Sequence, residues 1–214
     1  MAAEPWAEAF LGRLRAHHAL DPEPLSTTAF EAAFNGACEA AGWIVQPASS
    51  ATHRFFDTTV SIPGRGDVRL SLKTTAARVL SPRTVHISKL TEAAWIQDER
   101  TQSGRRNKIV ELSTQYCELT DSIIVLRCFR EGSGSLLYEL VEVPTSIFAS
   151  VSQLSVSEAQ ASTIPLPPGV ARPDARIRID RSDAKITVAS IRIEVCTVHG
   201  RWLIPSLSGV DPAQ

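Results

Sequence analysis

Three features of the sequence predict an α/β fold. Apolar residues recur at helical spacing near the amino end. Two runs of β-forming residues flank a Pro-Gly turn over residues 55–74, and further strand-like runs follow a mostly helical stretch at 89–119.

Residues 5–18 read as an amphipathic helix with Trp6, Phe10, Leu11 and Leu14 on one side, ended by the proline-bearing turn from Asp21 to Pro24. Ser26, Thr27 and Thr28 are N-cap candidates for a second helix over 28–41. Its Phe30, Phe34, Ala37 and Cys38 share a face, and Gly42 is placed to stop it. Phe55 to Ile62 and Val68 to Thr74 read as a hairpin joined through Pro63-Gly64-Arg65-Gly66-Asp67. A short strand is expected at Val85 to Ser88, then helix over 89–119 with a break near Ser103-Gly104. Ser122 to Phe129 has the composition of a buried strand, paired with Leu136 to Val143 across the Gly132–Gly134 turn. Over 149–175, Pro165, Pro167, Pro168 and Pro173 argue against regular structure, so an irregular connection with one short helix near 156–161 is expected. Arg176 to Ile179, Ile186 to Val195 and Arg201 to Ile204 read as terminal strands. No repeat is visible, and 214 residues fit one domain over 1–214, with the first helix and turn (1–25) appended.

Composition narrows the class. Hydrophobic residues at 43% and charged ones at 21% are ordinary for a globular protein. Cys38, Cys117, Cys128 and Cys196 lie far apart with no CxxC pair, which predicts reduced thiols in a cytoplasmic protein rather than a zinc or disulfide framework. No charged-then-apolar leader and no run of 18 apolar residues is present, so neither export by that route nor a membrane span is expected. The net charge of −1 conceals a strong asymmetry: residues 65–108 carry 10 basic and 4 acidic side chains, whereas the segments 1–64 and 109–160 are acidic. A local basic segment in a near-neutral chain suits phosphate contacts without strong non-specific association.

The stretch that carries chemistry is Asp57, then Ser71-Leu72-Lys73, with 13 residues between Asp57 and Ser71. Hydrolysis of a phosphodiester needs charge neutralisation at phosphorus and a hydroxide near neutral pH. Carboxylates holding Mg²⁺ meet the first need, and a lysine beside the attacking water helps with the second. A hairpin can present an acid and a lysine from neighbouring strands with little play. The pattern resembles that of the PD-(D/E)xK nucleases, except that Ser71 stands where the pattern has Asp or Glu. A hydroxyl is a poorer Mg²⁺ ligand than a carboxylate, so the second acid must come from elsewhere. Glu31 on the preceding helix is the first candidate and Glu92, read as the start of the next helix, the second. In isolation Asp57 also suits a turn cap and Lys73 an exposed edge charge.

A wider set of motifs weighs between these readings. His17-His18 is followed by Phe30-Glu31-Ala32-Ala33-Phe34-Asn35, similar to an FExAFN block, and by Leu72-Lys73-Thr74 with Ala76-Ala77, similar to LKTxAA. Val85-His86-Ile87-Ser88-Lys89 resembles IHVSK, Leu126-Arg127-Cys128-Phe129 resembles LRxF, and Tyr138 to Pro144 resembles YxLVEIP. Cys196-Thr197-Val198-His199-Gly200-Arg201-Trp202 resembles CxVHGxW. In this order along residues 17–202, the blocks resemble those of the SmaI-like type II restriction endonucleases, whose pattern also lacks an acid at the position of Ser71.

The resemblance implies a restriction-endonuclease-like mixed sheet of about five strands flanked by helices. It implies Mg²⁺-dependent cleavage of double-stranded DNA at a GC-rich palindrome, with no organic cofactor, by a homodimer in which each subunit reads one half-site. Asp57 and Glu31 are then expected to ligate the metal, Lys73 to position water and scissile phosphate, and Ser71 to make a secondary contact. His86 and Lys89 are expected to contact phosphates. Arg105 and Arg106, with Lys108, suit groove or backbone contacts because Arg reads guanine edges in bidentate fashion. Cys196 and His199 lack a second pair to complete a zinc site, so Trp202 is expected to anchor core packing. A non-catalytic DNA-binding protein of the same fold and a sequence-indifferent repair nuclease are the rival readings.

Overall fold

The computed structural model describes residues 4–48, 55–131, 134–180 and 184–205. Helix α1 (Glu4–His18) buries Trp6, Phe10, Leu14 and His18, a stripe repeating every four residues. Helix α2 (Thr27–Ala40) starts at Ser26, whose side chain accepts from Ala29 N, and buries Phe30, Ala33, Phe34, Ala37 and Cys38. The two helices meet through aromatic rings: Trp6 meets Phe34 edge to face at 5.4 Å, and Phe10 meets Phe30 in the same way at 6.2 Å. The Arg13 guanidinium rests over Gly36, so a Cβ at that position would displace this flexible side chain.

These helices cover one face of a six-stranded sheet. Its strands are β1 (Ile44–Pro47), β2 (Thr58–Ile62), β3 (Gly66–Thr75), β5 (Ser122–Arg130), β6 (Leu136–Pro144) and β10 (Thr197–Ile204), in the order β1-β2-β3-β5-β6-β10. Among the described residues β3 and β5 alone run parallel, and the other pairs of this sheet are antiparallel. Leu70, Leu72, Ile124 and Leu126 face α1 and α2, while Ile123, Val125, Val141 and Val143 face a second core on the other side. Because both faces are covered, β5 is buried from Ser122 through Cys128, which explains its unbroken apolar run. Trp202 closes the first core against Trp6 and Phe10, as its place in the last strand predicts.

The second core lies between that sheet, helix α4 (Gln102–Leu119) and a four-stranded antiparallel sheet. The latter comprises β4 (Thr84–Glu92), β7 (Thr163–Leu166), β8 (Ala175–Asp180) and β9 (Lys185–Arg192), in the order β4-β9-β8-β7. The expected α/β class holds, with two sheets in place of the one of about five strands that the sequence predicted. The Gly132–Gly134 turn lies largely outside the described residues.

Three local expectations are corrected. Strand β4 continues to Glu92 where helix was expected, because Val85, Ile87 and Leu90 bury into the second core and β9 supplies the pairing. The helical region after it breaks at 99–101 between α3 (Trp95–Asp98) and α4, where Thr101 caps α4, instead of at Ser103-Gly104. Residues 149–175 hold a strand, β7, running through Pro165. Proline is tolerated there because β7 is an edge strand with one side unpaired. No helix among the described residues is long and apolar enough to cross a membrane.

Candidate active site

Asp57 sits one residue before β2, held by two backbone bonds: its N–H donates to Leu70 O at 2.8 Å and its carbonyl accepts from Ala48 N at 3.0 Å. Pairing of β2 with β3 begins at Thr58 opposite Leu70, so β3 beyond Leu70 has an open edge beside the Asp57 carboxylate. Into that notch β3 presents three donors. Leu72 N donates to Asp57 Oδ2 at 2.6 Å, Lys73 Nζ at 3.1 Å and Ser71 Oγ at 3.3 Å. Among the described residues Oδ1 takes no hydrogen bond.

Glu31 reaches the same place from α2. The Thr27 and Thr74 hydroxyls lie 3.0 Å apart and pin the first turn of α2 to β3, and Glu31 is one turn further on. Partial burial, and after it the negative charge of Asp57, raises the Glu31 pKa above the usual carboxylate value, while Lys73 opposes the rise. The structure thus brings Asp57, Ser71, Lys73 and Glu31 together. Glu92 is elsewhere: it ends β4 and pairs with Lys89 Nζ at 2.8 Å.

The predicted DNA-contact residues divide. His86 is exposed on the outer face of the four-stranded sheet, and Lys89 on the same strand is engaged with Glu92. Arg105 is buried, with Nε donating to Ala159 O at 2.7 Å. Arg106 donates through Nε to Leu154 O at 2.9 Å and through Nη2 to Ser152 O at 3.1 Å. These guanidiniums fasten α4 to the segment after β6, so the geometry gives them an architectural task where groove contacts were expected. The neighbouring Lys108 pairs with Glu111 at 3.0 Å. His18 is likewise internal: Nδ1 faces Asp21 O at 2.9 Å and Nε2 faces Tyr138 Oη at 2.8 Å, while burial lowers its pKa.

Sequence reasoning missed two further residues, one on α2 and one on α4. Asn35 lies four residues after Glu31, on the same side of α2, and its buried Oδ1 has no hydrogen-bond partner among the described residues. It stands in the same FExAFN-like block, so the helical spacing from Glu31 was a usable signal. Tyr116 on α4 is buried with its ring edge-on to Phe55 at 5.7 Å, close enough to Asp57 to feel its charge. No sequence signal ties it to Asp57, because the approach depends on how α4 packs.

A model of the SmaI family, described as type II site-specific deoxyribonucleases, matches residues 1–204. The chain belongs to that family. A curated relative, the type II restriction enzyme SmaI of Serratia marcescens, is 26% identical over 204 residues, covering 90% of this chain and 77% of the relative. No solved structure matches the chain. As a SmaI-family member the chain is a restriction endonuclease acting on DNA, and the notch at Asp57 is where its fold gathers acids and a lysine at an open strand edge.

Proposed function

We propose that this restriction enzyme hydrolyses phosphodiester bonds of duplex DNA at the notch formed by Asp57, Lys73 and Glu31, as a PD-(D/E)xK-type nuclease using Mg²⁺. The observation that carries the reading is the division of labour at Asp57. Three donors from β3 fasten Oδ2, and Oδ1 is left to face a ligand. Fixing one oxygen so firmly orients the other, which is what preorganised chemistry requires.

The donor set fits a hydrated hard cation. Asp57 Oδ1 and Glu31 supply anionic oxygens; Asn35, whose buried Oδ1 has no partner among the described residues, stands one turn further along α2. Mg²⁺ keeps several of its waters and needs few protein ligands. A closed cage is not on offer, since no group of three or more His, Cys, Asp or Glu converges among the described residues. When bound, the ion supplies charge neutralisation at the scissile phosphate. Lys73 places its ammonium at the phosphate and hydrogen-bonds the attacking water. Ser71 Oγ and Leu72 N hold the Asp57 carboxylate in its rotamer throughout.

Double-strand cleavage follows if two copies act on one palindrome, each cutting one strand, so the enzyme works as a homodimer. The GC-rich character of the site rests on the family resemblance alone. Plasmid digestion with and without Mg²⁺ tests the reading. Discrete fragments appearing only with the metal support it; intact plasmid in both would favour a non-catalytic DNA-binding protein, and a smear a sequence-indifferent nuclease. Sedimentation should give twice the 23.2 kDa chain mass at micromolar concentration.

A further inference from the structure

The four-stranded sheet buries one face, and among the described residues no element covers the other. On β8, Ile177 and Ile179 point into the second core while Arg176 and Arg178 are exposed. On β4, Val85 and Ile87 are buried while His86 and Ser88 are exposed. The register sets the outward residues side by side: Thr163 of β7 lies opposite Arg178 of β8, which lies opposite Thr187 of β9, whose hydroxyl donates to Ser88 O of β4 at 2.8 Å. The result is a cleft of about 420 Å³ lined chiefly by His86, Ser88, Thr163, Arg178, Lys185 and Thr187. No carboxylate lines it among the described residues.

We propose that this face is a second DNA-contact surface, where Arg178, with Lys185 and the hydroxyls beside it, binds backbone phosphates of the duplex away from the scissile bond. Charge complementarity favours that occupant, because the cleft is lined by the cationic Arg178 and Lys185 and by hydroxyls, with no carboxylate among the described residues that line it. The row crosses four strands at roughly 4.8 Å per step, so it spans about 14 Å. That is the scale of the ~12 Å major groove, and too long for a lone small anion. Arg178 also acts on His86: burial and the guanidinium charge lower the imidazole pKa, which favours the neutral ring until a phosphate approaches. Phosphate contacts of this kind set orientation and register on the duplex and carry no sequence information themselves.

The inference rests on reading the chain as a DNA nuclease, and the test separates the two. A labelled duplex of mixed sequence is titrated in EDTA by fluorescence anisotropy over a range of salt, for wild type, Arg178→Ala, Arg178→Glu and Arg15→Glu. The last variant makes the same charge reversal at an exposed position on α1. Arg178→Glu should weaken binding by about tenfold or more near 0.1 M salt, and Arg178→Ala should lower the slope of log K against log salt by about one. Arg15→Glu should leave the slope as in wild type. Thermal melting establishes that each variant is folded. Folded Arg178 variants with wild-type affinity and slope overturn the inference, as does an equal loss in Arg15→Glu, which would indicate bulk charge alone. If wild type meanwhile cuts plasmid, the nuclease reading stands and only this surface is refuted; if wild type does not bind duplex DNA, both fall.

Discussion

Lys73 Nζ lies 3.1 Å from Asp57 Oδ2, an oxygen that also accepts from Leu72 N at 2.6 Å. The lysine therefore balances the aspartate's charge on one strand edge, and the function proposed above gives it the scissile phosphate as a second partner. The pair is only partly exposed, with side chains 21% and 31% accessible, so solvent weakens but does not abolish the attraction.

Replacing Asp57 by Asn keeps the shape and removes the charge. Plasmid cleavage should fall by at least about a hundredfold, near 3 kcal/mol of transition-state stabilisation. Duplex binding in EDTA should persist, since one less carboxylate repels the phosphates less. Retention of more than about a tenth of the wild-type rate would place the metal site elsewhere.

Glu31 and Glu92 should behave oppositely. The Asp57 charge helps raise the Glu31 pKa from one end of the notch, whereas Glu92 pairs with Lys89 on the other sheet. Glu31→Gln is expected to lose most cleavage activity and Glu92→Gln little, both read from initial rates on plasmid. Equal losses, or the reverse order, would remove Glu31 from the site.

The raised pKa of Glu31 gives a pH dependence of definite sign. The folded protein holds this proton more tightly than the unfolded chain does, so the metal-free protein should lose some stability as pH rises through the folded-state value. Metal binding needs the ionised form and should strengthen over the same interval, which lies above the usual carboxylate range. Mg²⁺ titrations followed by melting temperature at several pH values read both effects. In Glu31→Gln the pH dependence should flatten.

Arg127 is 1% exposed, and its Nη1 donates to Glu139 Oε1 at 2.7 Å, while Arg201 Nε donates to Glu139 Oε2 at 2.7 Å. Removing the carboxylate leaves a buried guanidinium unpaired. Glu139→Ala should therefore cost about 3–5 kcal/mol in urea unfolding. Arg201→Ala, which removes a more exposed partner, should cost under about 1 kcal/mol.

Tyr116 offers a test in the stabilising direction. Its hydroxyl is buried without a hydrogen-bond partner among the described residues, and an unsatisfied buried group costs about 1–3 kcal/mol. Tyr116→Phe should leave the melting temperature unchanged or raise it by up to about 4 °C. A clear fall would mean that the hydroxyl is held by a bond to Ser71 or Thr120 that this geometry does not form.

Much of the site was legible because it is local. Asp57 precedes a strand whose hairpin partner carries Ser71 and Lys73, and Ser26 with the Phe30/Phe34 face defines the helix that bears Glu31; each depends on turn chemistry, capping and apolar spacing within a few residues. The mixed α/β class follows from the same local patterns, and the motif order identified the family. Where these local rules misled, tertiary pairing overrode them. The β-formers of 84–92 became a long strand only because β9 lies alongside, and Pro165 entered a strand because that strand is an edge.

The sequence by itself determined the two amino-terminal helices, the hairpin that carries Asp57, Ser71 and Lys73, the buried β5–β6 pair and the acid–lysine pair at the notch. Only the tertiary structure decided that there are two sheets, that Arg105 and Arg106 serve as internal ties, and that Arg178, Thr163 and Thr187 share one outer face with His86. These last relations join residues separated by up to about a hundred positions: alternation within β8 shows that Arg176 and Arg178 share a face, but no local propensity encodes which strands lie beside it.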